Sequence, residues 1–275
     1  MGAFGNIHAG YMGLATIGGS SNVRFDSANI AVMQEVEAPD LIMGDYDHDA
    51  YVYGKITVGG SISGPITENS GNSLWEWASQ RGSCGELTEK DVAITYYCGV
   101  GKTLSGVVVG SYGLSCQAGE VAQFNMEVAG KAASSGGGPG TFTDAEKLVT
   151  WDKVNLTASG GGADFSNIDW SSFDFNLNNN VENAYALNSG DLFPAKVIGG
   201  LRTFSGTITG YDIPGANGFD SWDDYSAGDT GTLGITMPGG ISISVAVRWH
   251  RVVPQSSVGV MTSTVGFSGV THQNF

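Results

Sequence analysis

The chain is poor in charge, in cysteine and in long apolar runs. Only 14% of its 275 residues are Asp, Glu, Lys or Arg, and the basic ones are scarce, 12 against 27 acids, for a formal net charge of −15. Tight nucleic-acid binding needs clustered Lys and Arg to displace phosphate counterions, so a stable complex of that kind is not expected. Transient passage of nucleic acid past an acidic or neutral wall remains open, because repulsion prevents sticking. The three cysteines are Cys84, Cys98 and Cys116, with no CxxC pair. That argues against a disulfide framework or a zinc site and for reduced thiols in a protein made in a cytoplasm. No apolar run approaches the roughly 18 residues of a membrane span. The N-terminus has no basic region followed by an apolar stretch, so no signal peptide is expected and Met1 is expected close to the native start.

What is abundant is glycine, at 43 residues, within a chain that is 41% hydrophobic. There is no three-residue period, which excludes collagen. Gly, Ser, Thr and Asn instead punctuate short β-branched and aromatic runs, the texture of an all-β protein. Few charges and many small polar residues suit a surface covered by copies of itself. An ordinary secreted β-sandwich has the same texture.

The pattern occurs twice. Ile56-Thr57-Val58-Gly59-Gly60-Ser61-Ile62-Ser63-Gly64 alternates as Arg202-Thr203-Phe204-Ser205-Gly206-Thr207-Ile208-Thr209-Gly210 does, the period of a half-buried strand. Leu14–Gly19 resembles Leu156–Gly161, Ala28, Ile30 and Val32 alternate as Phe173, Phe175 and Leu177 do, and Gly130 has a counterpart in Gly269. The landmarks keep their order at an offset of about 138 to 146 residues, which reads as a duplicated domain rather than a solenoid. The expected division is 1–131, a Gly-rich flexible linker 132–140 and 141–275. Strands are expected near 13–17, 23–33, 51–63, 91–97, 105–111 and 120–130, and again near 149–158, 169–178, 195–209, 230–236, 241–250 and 258–269. A short helix is expected at Ser73–Ser79, capped by Asn72, and another at Phe219–Tyr225. Each half has a long connection, 34–50 and 179–193, of a length that is often functional.

Catalytic chemistry finds little footing. Cys98-Gly99-Val100-Gly101-Lys102-Thr103 resembles the end of a phosphate-binding loop, but Tyr96 stands where the first glycine belongs and the following segment is strand-like. Asp45, Asp47 and Asp49 alternate as calcium ligands can, yet Ala50 occupies the position that needs glycine. There is no Gly-x-Ser-x-Gly elbow or HExxH helix near His8, His48, His250 or His272. The six tryptophans could form a sugar-stacking platform, but Trp75 and Trp222, at matching places on the two helices, read as core. The chain is therefore expected not to be an enzyme and to need no cofactor or metal.

One stretch, Trp170-Ser171-Ser172-Phe173-Asp174-Phe175-Asn176-Leu177-Asn178-Asn179-Asn180-Val181, leads through a long loop to Gly200-Leu201-Arg202-Thr203-Phe204-Ser205-Gly206-Thr207-Ile208-Thr209. With the closing strand Val121–Gly130, it resembles bacteriophage tail tube proteins. The first half departs from the pattern, with Gln34-Glu35-Val36-Glu37 and Lys55-Ile56 at the corresponding places.

The resemblance implies all-β, sandwich or barrel-like tube domains with a short flanking helix. In the family, six such domains form a ring whose inner strands make one barrel around a lumen, and rings stack into a tube that carries the genome. Two domains per chain imply a trimeric ring with pseudo-sixfold symmetry in a virion tail. The implied partners are other copies of the chain, the tail terminator, baseplate and tape measure proteins, a sheath if the tail is contractile, and DNA in transit, with no membrane. On this reading Asn29, Thr57, Ser61, Ser63, Asp174, Asn176, Thr203, Ser205, Thr207 and Thr209 line the lumen. The long connections stack rings through Glu35, Glu37, Asp40, Ile42, Met43, Asp45, Asn180, Glu182, Asn188, Asp191 and Phe193. Another tail component of the same fold, such as a baseplate hub or distal tail protein, and a carbohydrate-binding β-sandwich module are the alternative readings.

Overall fold

Alternation of apolar and small polar residues at period two puts one face of each strand into a core and leaves the other outside. The computed structural model describes residues 13–19, 21–37, 52–82, 85–96, 101–136, 147–160, 165, 168–187, 190–212, 230–257 and 260–271. In the first half these form β1 (Gly13–Ile17), β2 (Ser21–Phe25), β3 (Ser27–Glu37), β4 (Val52–Pro65), α1 (Gly71–Ser79), β5 (Lys90–Tyr96), β6 (Gly101–Gln117), β7 (Gln123–Gly130) and β8 (Ala132–Ser135). After a 3-10 turn at Trp151–Lys153 come β9 (Asn155–Gly160), β10 (Ile168–Asn178), β11 (Val181–Ala184), β12 (Lys196–Gly199), β13 (Arg202–Asp212), β14 (Thr230–Thr236), β15 (Ser242–Ser257) and β16 (Val260–Thr271).

The fold is all-β, and all its described pairings are antiparallel. In the first half the strands run β3-β4-β7-β6-β5-β1, and in the second β10-β13-β16-β15-β14-β9. Each half thus has one long strand, β6 or β15, that serves two sheets. The register of β6 slips between Val109 and Ser111, and that of β15 between Trp249 and Val252. A bulge of this kind bends a strand, which lets it leave one layer and enter the other. The halves join where Ser111–Gln117 of β6 pairs with Ser172–Asn178 of β10, so one sheet of 14 strands runs through both.

A single cluster of buried side chains also crosses that junction. Trp75 on α1 lies 6.0 Å from Tyr112 of β6 and 6.0 Å from Phe175 of β10, centroid to centroid. Trp75 is buried, as expected for a core residue, and so is Trp77, while Trp222 lies outside the described residues. The helix starts two residues earlier than expected, after Ser70, whose hydroxyl pairs with Thr67. Asn72 lies inside the helix and donates to Glu76. The expected tether is in part ordered, since Ala132–Ser135 pairs with Lys102–Ser105. The segment near 195–209 breaks into β12 and β13, and the start of the segment near 149–158 is the 3-10 turn. The phosphate-loop-like Gly101, Lys102 and Thr103 belong to β6. Phe219–Tyr225 and Asp45–Asp49 lie outside the described residues.

Two glycines hold matching positions. A Cβ on Gly60 would come 1.9 Å from the Asn29 carbonyl oxygen, and one on Gly206 would come 2.0 Å from that of Asp174. Gly60 and Gly206 thus let neighbouring strands approach without a side chain between them. Gly206→Ala is expected to destabilise the protein by about 1–3 kcal/mol through overpacking. Gly113→Ala, whose Cβ would meet nothing nearer than 3.5 Å, should be near neutral. Urea unfolding of the two variants checks the contrast.

Candidate functional site

Strands β4 and β13 carry the repeated alternation. Val58, Ile62, Phe204 and Ile208 are buried, while the residues between them point to the opposite, polar face. On that face Asn29, Asp174, Asn176, Ser205 and Thr207 are exposed, and Thr57, Ser61, Ser63, Thr203 and Thr209 are half-buried. The face continues through Ser111 and Ser115 on β6, Asn125 and Glu127 on β7, and Thr262, Thr264 and Ser268 on β16. These were not singled out from sequence, although Phe124, Met126 and Val128 alternate with Asn125 and Glu127 in the same way. The hydroxyls partly satisfy one another, as where Thr209 and Thr264 lie 3.0 Å apart, Oγ1 to Oγ1.

The charged members of this row are acids, Glu127 and Asp174, and burial raises the Asp174 pKa. Cations stand at its margins. Lys55 precedes Thr57 and sits over the Tyr185 ring, and Arg248 lies opposite Ser268 beside the bend of β15. Apart from Arg248, which shares the face with Ser268 and Ser205, the short hydroxyls, amides and few carboxylates offer phosphate no charge-assisted donor.

The second long connection does not stand free. β11 and β12 form a hairpin, and Val181 and Val197 pack against Leu87 and Val108 of the first half. The Ile56 amide donates to the Leu192 carbonyl at 2.9 Å, and the Tyr185 hydroxyl donates to the Ile56 carbonyl at 3.1 Å. Asn180, Glu182 and Asp191 are exposed, whereas Phe193 is half-buried against the core. Leu187 and Leu192 are exposed apolar residues of the same connection, and Ile198 is one on β12 just after it. In the first connection Glu35 is exposed at the end of β3, and Glu37 belongs to β3. Asp40, Ile42, Met43, Asp45 and Asn188 lie outside the described residues.

The junction of the halves is pinned by Asn179. Its amide is fully buried and donates from Nδ2 to the carbonyls of Ala78, at the end of α1, and of Val109, on β6, at 3.0 and 2.9 Å. Its Oδ1 accepts from Arg202 Nε at 2.9 Å and from Arg81 Nη2 at 3.4 Å. Arg81 Nη2 also donates to the Gly200 carbonyl at 2.9 Å. Burial, with the neighbouring charge of Arg81, lowers the Arg202 pKa to about 10, so the guanidinium stays charged at neutral pH. The positive φ of Asn180, 49°, turns the chain away just after this residue. The sequence marked Asn179 and Arg202 only as parts of a motif. Arg81, distant in sequence, gave no signal.

A polar sheet face on strands that run edge to edge through two like halves is an arrangement suited to a wall. A family model described as "Phage tail tube protein" matches residues 34–268. The chain belongs to the phage tail tube protein family. That match spans most of both halves and includes the Asn179–Arg202 motif, the polar strands and the junction. No curated protein matches the chain. Membership carries a structural role in a virion tail and self-association with other tail components into a tube.

Asn179→Ala in this tail tube protein would leave a buried guanidinium and two buried carbonyls short of a partner. A loss of about 3 kcal/mol is expected, since each buried group left unsatisfied costs roughly 1–3 kcal/mol. Chemical denaturation measures it, and a loss below about 1 kcal/mol would show that the amide is not structural.

Proposed function

We propose that three copies of this chain close a ring of pseudo-sixfold symmetry, and that stacked rings form the tail tube through which the genome leaves the virion. The chain is on this reading a tandem pair of tube domains, 1–131 and 141–275, joined by 132–140. The observation that carries the reading is the β6–β10 pairing. It joins two like sheets side by side, with one polar face continuous across the join. Closed rings of one protein are the usual way to satisfy such edges, and closure removes strand edges that would otherwise aggregate.

The polar face is the lumen wall, from Asn29 and Ser61 to Asp174 and Thr207. Away from Arg248, passing DNA meets hydroxyls, amides and carboxylates, which neither stack on bases nor hold phosphate. The exposed apolar residues Leu187, in the second connection, and Ile198, on β12 after it, face the neighbouring ring with Asn180, Glu182 and Asp191. The terminator, baseplate and tape measure proteins then meet the two ends and the lumen of the tube.

Analytical ultracentrifugation or native mass spectrometry is expected to find trimers or assemblies counted in threes, with rings or tubes by negative-stain microscopy. A ring of six whole chains would overturn the pseudo-sixfold reading. A second experiment tests the wall. Tubes of the unaltered protein should not retain DNA at moderate salt. Tubes of a Ser61→Arg, Ser205→Arg variant should do so, with retention falling as salt rises. Unchanged retention would place these two residues elsewhere than the lumen.

A further inference from the structure

We propose that the chain-to-chain seam forms when the β3 edge of one copy pairs with residues 252–257 of β15 in the next copy. The pairing is antiparallel, with Asn29 opposite Gln255 and Ile30 opposite Pro254. The proposal rests on the ring reading above and names the surfaces that close it.

Among the described residues β3 pairs only with β4, and residues 252–257 pair only with β16. Each is one edge of the sheet that runs through the chain. The within-chain junction shows how two such edges meet. Matching the ladders of the two halves register by register puts β3 on β10, with Asn29 at the place of Asp174. It puts β15 on β6, with Gln255 at the place of Ser115 and the two bulges coinciding. Asp174 faces Ser115 across the junction, so Asn29 faces Gln255 across the seam. A slip of one residue would turn the polar face of one copy against the apolar face of the next.

Backbone polarity agrees. The Ile56 amide bonds away from β3, to Leu192, so its ladder pair with Gln34 is not a hydrogen-bonded one. Strict alternation then leaves Ala28, Ile30 and Val32 presenting their N–H and C=O groups to the free edge. Two of these carbonyls already accept from side chains, Ala28 from the Tyr96 hydroxyl at 3.2 Å and Ile30 from Lys102 Nζ at 3.3 Å.

Pro254 gives this a purpose. At its counterpart, Leu114 pairs with Phe175, and the flanking bonds Ala118 N–H to Ser171 O and Asn179 N–H to Gly110 O make that a hydrogen-bonded position. Proline has no N–H to donate there. The carbonyl it leaves short is that of Ile30, and Lys102 supplies the missing donor.

Burial points the same way. Leu177 is 0% exposed at the within-chain junction, but Val32, its counterpart on the β3 edge, is 44% exposed in the single chain. The seam also lacks the polar lock, because Gln34 and Ile56 stand where Asn179 and Arg202 stand. The two joins are chemically different, so an edge meant for a second copy does not compete for the intramolecular place.

Paired cysteines test the seam. Asn29 and Gln255 fall at a non-hydrogen-bonded position, where Cα atoms lie about 4.5 Å apart, within disulfide range. In a chain whose native cysteines are changed to serine, Asn29→Cys with Gln255→Cys should give covalent dimers and trimers on oxidation and nothing larger. Asp174→Cys with Ser115→Cys should cross-link within one chain, which shows that the background folds. Asn29→Cys with Val253→Cys, out of register by two, should link far less. Rings seen by microscopy without the Asn29–Gln255 link, or with the offset pair linking better, overturn the seam and leave the tube reading standing. Folded protein that makes neither rings nor links overturns both.

Discussion

Residues 111–115 of β6 have a strand on each side. β7 satisfies one edge of their backbone and β10 the other. Without β10 that second edge would be a row of open donors and acceptors, which invites another chain. The rest of the architecture depends on this pairing. It carries the polar face from one half to the other and brings Phe175 under Trp75. It also makes a buried place for Asn179, whose amide is spent on a helix end, a strand and two arginines. A buried polar group of this kind is tolerable only when every capacity is used. Asn179 therefore specifies the join as well as stabilising it.

The same sheet is thin in side chains where the strands approach most closely. Gly60 and Gly206 leave no room for a Cβ against the neighbouring carbonyl. Short hydroxyls flank them, and the bulk lies on the opposite face, where Phe175 stacks near Phe204 and Phe267. Small groups outside and aromatics inside give a smooth polar surface over a dense core.

Connections are where expectation and structure part. A connection of roughly fifteen residues is often functional, and its ring-stacking role was read from length and composition alone, yet the second one also folds as a hairpin on the first half. The anchor is the apolar contact of Val181 and Val197 with Leu87 and Val108. No local signal in 179–193 names its partners, because Leu87 and Val108 lie far back in the chain. The break between β12 and β13 and the ordering of Ala132–Ser135 were missed for the same reason. Each follows from a neighbour that only folding supplies. Arg81 is the clearest case, an unremarkable basic residue until the Asn179 oxygen arrives beside it.

The sequence by itself determined the strands and their faces, because period-two alternation depends only on neighbours along the chain. Thr207 outward and Ile208 inward could be read from that alone. It determined the weak charge of the polar face, which is composition, and the recurrence of the pattern in two halves. The tertiary structure decided which edges meet. Val109, Ala78, Arg81 and Arg202 converge on one amide through contacts far apart in sequence, and no periodicity encodes such a meeting. It also decided which edges have no strand beside them among the described residues, since an edge is defined by its neighbours in space.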